Sequence, residues 1–202
     1  MDDQAEITPH HLAALSLIRA AAAIEETALD PTMWFFIILD LHRAVYCALV
    51  AALASTTHIG AFPDKLKAEW LEYFEESRSN PDVRPPRGDY VLPFVGLLER
   101  AENETLHMIG SPLQLRPDQR ADIVKLNEFR DDLEHVKPQS WHLMVEGLPR
   151  MVANAAKAFE VLLESFAYHL ENDELAKLER ALLKIKDLEN RYPSSTPSSW
   201  RS

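Results

Sequence analysis

The residues best suited by type and spacing to do chemistry gather in one stretch, Asn127-Glu128-Phe129-Arg130-Asp131-Asp132-Leu133-Glu134-His135-Val136-Lys137-Pro138. Histidine titrates near neutrality and can pass a proton. Arginine presents a planar fork of N–H donors to phosphate oxygens. The two types together suit phosphodiester cleavage without a metal. That reaction needs a base for the attacking hydroxyl, an acid for the leaving oxygen and a cation beside the phosphorane. The spacing sets a condition. On an ideal helix, positions 130 and 135 lie about 140° apart, whereas Arg130 shares a face with Glu134 and Asp131 with His135. Arg130 and His135 can therefore meet one ligand only if the helix unwinds before Pro138 or a second chain covers that face. The same residues also fit an ordinary helix end, with an Arg130–Glu134 ion pair and His135 complementing the helix dipole.

Helices must position these groups. Thr8-Pro9 is a cap and first-turn pair for a helix to about Ala28, with Leu12, Leu15, Ile18 and Ala22 on one face. A second helix, about Pro31 to Ser55, is apolar around most of its circumference, as a central helix should be. A third runs from Pro63-Asp64 to about Glu76 with Leu66, Trp70, Tyr73 and Phe74 as its stripe. SRSNPDVRPPRGD then has no periodicity and reads as a loop carrying Arg78, Arg84 and Arg87, the densest basic cluster of the chain. A fourth helix is expected over about Tyr90–Ile109, and a fifth from Asp118 to Pro138 with Ile123, Leu126, Phe129, Leu133 and Val136 inward. A long sixth is expected from about Ser140 to Leu170, kinked or broken at Pro149. A seventh, Asp173 to Arg191, is capped by Asn172. No internal repeat or alternating strand pattern appears.

Composition agrees with an all-α fold. Five glycines and 13 prolines in 202 residues disfavour a hairpin-rich β protein and mark helix boundaries. A hydrophobic fraction of 47% can supply a core. The net charge of −11 argues against broad nonspecific binding to nucleic acid or anionic membrane. Asp40, His42 and Arg43 interrupt the most apolar stretch, Met33 to Ala54, which favours a buried helix over a membrane span. The single Cys47, read as a small buried hydrophobe, and an acidic, polar N-terminus point to a reducing cytoplasm.

Arg130, a polar residue directly after it, and His135 five on resemble the signature of HEPN domains. The setting is similar too: a helix end, a break at Pro138, then a long apolar helix. A second pair, Arg100 and His107, has the same loose spacing without that setting. The resemblance covers about Asp118 to Leu170. It implies an up-and-down helical bundle of HEPN type over about 31–170, within a single domain 1–191 that adds N- and C-terminal helices; the Ser/Pro-rich composition of 192–202 reads as a disordered tail. It further implies a metal-independent endoribonuclease of the toxin or defence kind, working without a cofactor as a homodimer. Arg130 would bind phosphate, His135 would transfer the proton and Asp131 would orient a partner. RNA would be drawn by Arg78, Arg84 and Arg87, and an antitoxin or nucleotidyltransferase-like protein would be a partner. The sequence departs from the family pattern in Asp131, where Asn is commoner. From Arg116 to Lys137, five basic residues face six acidic ones, which is no basic groove.

Other chemistries find less support. A carboxylate-bridged metal bundle needs two Glu-x-x-His pairs and two more carboxylates. Glu104/His107 and Asp132/His135 supply only an approximation. No nucleophile elbow or phosphate-cradling glycine loop is present. The alternative to the ribonuclease is a noncatalytic helical dimerisation or interaction module.

Overall fold

The computed structural model describes residues 7–54, 58–106, 109–135 and 144–191. Among them there is no strand. Seven α-helices follow in order: α1 (Pro9–Ala23), α2 (Met33–Ala54), α3 (Asp64–Ser77), α4 (Phe94–Asn103), α5 (Pro117–Glu134), α6 (Leu148–Leu163) and α7 (Asn172–Arg191). The all-α expectation holds. The predicted tail, Pro138 and His107 lie outside the described residues.

Central position belongs to α2, which packs against α1, α4, α5 and α6. Its length and hydropathy would suit a membrane span, but most of its surface is covered by those neighbours. The cap of α1 is the expected one: Thr8 Oγ1 accepts from the His11 backbone N–H at 3.3 Å, and Pro9 opens the first turn. The buried face of α1 differs from the expected one. It consists of Ala13, Ala14, Leu17, Ala20, Ala21 and Ile24. Leu15 is 53% exposed, Ala22 is exposed, and Leu12 and Ile18 are half-buried. Alanines allow close backbone approach to α2, so the small face packs inward in place of the bulky one.

The sixth helix also departs from expectation. It starts at Leu148, not Ser140, with Gly147 before it at φ 88° and Pro149 in its first turn. Proline lacks the N–H that a first turn leaves unused, so of the two outcomes expected at Pro149 the break is found, with Pro149 in the first turn and no kink. Residues 144–147 are not helical, and 136–143 lie outside the described residues. After Leu163 the chain turns, then makes a 3₁₀ turn at Ala167–His169. The fourth helix is likewise shorter than predicted: Pro93 sets its start, and a turn in which Leu106 N–H donates to Ser111 O follows its end at Asn103.

Two polar devices lock the bundle. Asp122 on α5 is 1% exposed. It accepts from Arg150 Nε at 3.0 Å and Nη2 at 2.8 Å, and from Asn154 Nδ2 at 2.7 Å, both on α6. Arg100 on α4 donates to the carbonyls of Gly60 and Phe62 and to the carboxylate of Asp64. It thus staples α4 to the segment entering α3, which explains the Arg100 of the look-alike pair as structural. Gly60 is obligatory there, since a Cβ would sit 1.7 Å from Leu53 O.

Rather than lying outside the core, α7 completes it. Leu178, Leu182, Ile185 and Leu188 join the same cluster as Leu17, Trp34 and Phe159. Ion pairs Lys184–Glu25 at 3.0 Å and Lys186–Glu160 at 2.7 Å border this contact with the α1 and α6 segments.

Candidate functional site

A pocket of about 520 Å³ opens between α2, α5 and the start of α4, with Leu12 of α1 at its edge. The central helix contributes Leu39, His42, Arg43, Tyr46 and Cys47; α5 contributes Asn127, Arg130, Asp131 and Glu134; Pro93, Phe94 and Val95 form the third wall. Helical spacing explains the α5 set: 127, 130, 131 and 134 are one face by the three-and-four rule.

The polar groups form a chain. Arg130 Nη1 donates to Asp131 Oδ1 at 2.9 Å, and its Nη2 lies 2.7 Å from Glu134 Oε2. Asn127 Nδ2 donates to Asp131 Oδ2 at 3.3 Å. His42 Nε2 is 3.0 Å from Asn127 Oδ1. These contacts fix the histidine tautomer. A carboxylate only accepts, so Asp131 must face the Asn127 amide NH₂; Oδ1 is then the atom turned to His42, and Nε2 must carry the proton. The ring plane is set by stacking on Phe94, centroid to centroid 4.6 Å at 28°.

Burial pushes the His42 pKa below the ordinary histidine value, with Arg130 acting in the same sense; the Asn127 hydrogen bond, Asp131 and Glu134 oppose this. Tyr46 is held above its usual value by burial, and so stays a phenol. The Cys47 thiol is pushed up to about 11 by burial, against the pull of Arg43. It is a buried thiol and no nucleophile at neutral pH. Asp40 pairs with Arg19 at 3.3 Å and Arg43 at 3.8 Å, yet burial still raises its pKa.

Of the residues picked out by sequence, Arg130 and Asp131 line the pocket. His135 does not. It is exposed, directly after the last residue of α5, at φ −92° and ψ 75°. Its N–H still donates to Asp131 O at 3.1 Å, so His135 keeps its helical position relative to Arg130 and only the chain after it leaves the helix. Arg78, Arg84 and Arg87 lie in the segment between α3 and α4, outside the pocket lining. Arg78 pairs with Glu75 at 2.8 Å, and the Gly88 carbonyl accepts from Trp70 Nε1 at 3.1 Å, folding the segment back on α3. Sequence reasoning left out His42, Asn127, Tyr46 and Glu134 as site residues. The available signal was a histidine and two charges in the middle of an otherwise apolar helix.

Among the described residues no cluster of three or more His, Cys, Asp or Glu side chains has the geometry to hold a metal ion. The pocket itself offers two guanidinium groups, two carboxylates, one neutral imidazole and one phenol. That set can bind an anion, orient it and accept a proton. No family model, curated protein or solved structure matches this chain.

Proposed function

We propose that this bundle is a HEPN-like, metal-independent endoribonuclease that acts as a homodimer. One observation carries the reading: Arg130 and Asp131 face an open pocket from one side of α5. His135 stays about 140° round the helix from Arg130, so it enters the site from a second chain. Arg130 supplies the fork for a phosphate, and Asp131 holds the fork in place through its 2.9 Å contact. The reaction transfers the 2′-hydroxyl proton to an imidazole, forms the O2′–P bond and breaks the P–O5′ bond. O5′ takes up a proton, leaving a 2′,3′-cyclic phosphate and a 5′-hydroxyl.

One observation favours a second reading, a noncatalytic interaction module. Both ends of the Arg130 guanidinium are already matched by carboxylates, Asp131 and Glu134. A phosphate must compete with them, which lowers the attraction a lone arginine would exert.

The test is cleavage of a structured RNA in excess chelator by wild type, Arg130→Ala and His135→Ala. The endoribonuclease should yield cyclic-phosphate ends and lose about 100-fold or more in each variant, the usual scale for a proton-transfer group. Identical cleavage by all three proteins would sink the reading. A dimer by sedimentation that leaves RNA intact would establish the module instead.

A further inference from the structure

The pocket has its own histidine, and it is not the one the motif names. His42 comes from the central helix, 85 residues before its partner Asn127. Its Nε2–H is committed to Asn127, so in the neutral ring Nδ1 carries a bare lone pair. Among the described residues, Ser165 Oγ is the one side-chain polar atom both sealed and unpartnered. The unpartnered Nδ1 of His42 is thus not sealed, and the residue lines the pocket. Asn127 and Phe94 hold the ring from its edge and its face, so the lone pair has a fixed direction.

We infer that His42 Nδ1 is the proton acceptor of the site, paired with Arg130 of the same chain, and that the pocket takes a single unstacked nucleotide of RNA. The inference rests on the ribonuclease reading above and names the base and the substrate form for it. A pocket of about 520 Å³ lies within the roughly 300–1,000 Å³ of sites for small ligands, enough for one nucleotide but not for a duplex. The substrate at the site is therefore an unpaired residue. Its 2′-hydroxyl gives its proton to Nδ1 as the O2′–P bond forms. The P–O5′ bond breaks on the opposite side of phosphorus, where O5′ takes its proton from His135, the acid of the ribonuclease reading. Arg130 holds the non-bridging oxygens through N–H groups beyond the two that Asp131 and Glu134 engage. Those two carboxylates stabilise the transient imidazolium. The pocket's titratable and charged groups around His42 are Arg130, Asp131 and Glu134 from α5 and Arg43, Tyr46 and Cys47 from its own helix; α4 and α1 present only uncharged side chains.

The experiment uses the full chain and a single-stranded RNA oligonucleotide in chelator, under single-turnover conditions. The pH is varied over roughly two units either side of the ordinary histidine value of about 6.5. His42→Gln keeps a donor toward Asn127 and removes the lone pair; cleavage should fall about 100-fold or more. Asn127→Ala removes the bond that favours imidazolium, so the acid limb of kcat/KM should move to lower pH with a smaller loss of rate. Should His42→Gln fail to fold by circular dichroism, the Asn127→Ala limb decides. Wild type inert toward RNA would end both the ribonuclease reading and this assignment. Wild type active, Arg130→Ala inactive and His42→Gln fully active would overturn the assignment alone, as would an acid limb that Asn127→Ala leaves in place.

Discussion

His42 is buried to 7% exposure inside a helix that carries the core, and burial holds it neutral. This has a consequence for stability with a definite sign. The folded pKa is below the unfolded one, so below about 6.5 the unfolded chain binds more protons than the folded one. Stability is thus fully present above the unfolded value and is lost as pH falls through the window beneath it. His10 acts in the same direction, lowered first by burial and then by His169, whose ring is 4.3 Å away. The melting temperature should drop as pH falls from neutrality through the histidine range, and His42→Gln should flatten that drop; equal slopes in the two proteins would refute the contribution of His42. At this scale the sequence showed two residues of the pocket lining and named a third, His135, that lies outside it. Arg130 and Asp131 stood out because their signature is local. His42 did not, because its partner is remote in the chain and a histidine amid apolar residues reads equally as a satisfied core residue. Glu134 was legible only as the ion-pair partner of Arg130, a role it does fill.

Helices are held to one another here by few but specific polar contacts. Asp122 and Arg150 join α5 to α6, directly before the site-bearing turns of α5. Arg150→Met would leave a carboxylate that is 1% exposed with Asn154 as its remaining partner from this group. The expected loss is about 3 kcal/mol, the lower end for breaking one side of a buried pair. Urea denaturation would measure it, and a loss under about 1 kcal/mol would show that Asn154 alone satisfies Asp122. Element types were readable from apolar periodicity, whereas boundaries and faces were less so. Pro149 was ambiguous because proline suits a first turn and an interior kink alike, and only Gly147 at positive φ resolves it. The inward face of α1 was missed because alanines carry little hydrophobic weight in a pattern, yet their size decides how closely α1 and α2 approach.

Across the whole molecule, the cores of α1, α2, α6 and α7 are one continuous cluster. An N- or C-terminal helix on such a bundle could have been an appendage; here α7 packs against both α1 and α6 and shares their core. A chain stopped after Glu171 should lose cooperative melting and bind a hydrophobic dye such as ANS, as expected when core surface is uncovered. A sharp melting transition like that of the full chain would show α7 to be dispensable. The acidic balance of the chain, −11, was plain from composition. Its local arrangement was not, since pairing such as Arg130 with Asp131 and Glu134 depends on the fold.

The side-by-side packing of α1 and α7 also imposes an order in time. During synthesis α1 emerges before α2, which can join it at once through the contacts around Arg19 and Asp40. The surface of α1 that faces α7 must wait for nearly the whole length of the chain, at roughly 5–20 residues per second. For those seconds the side of α1 that carries His11, the partner of Glu174 at 3.7 Å, has no final cover. A nascent chain paused before Asn172 would be the form most in need of a chaperone.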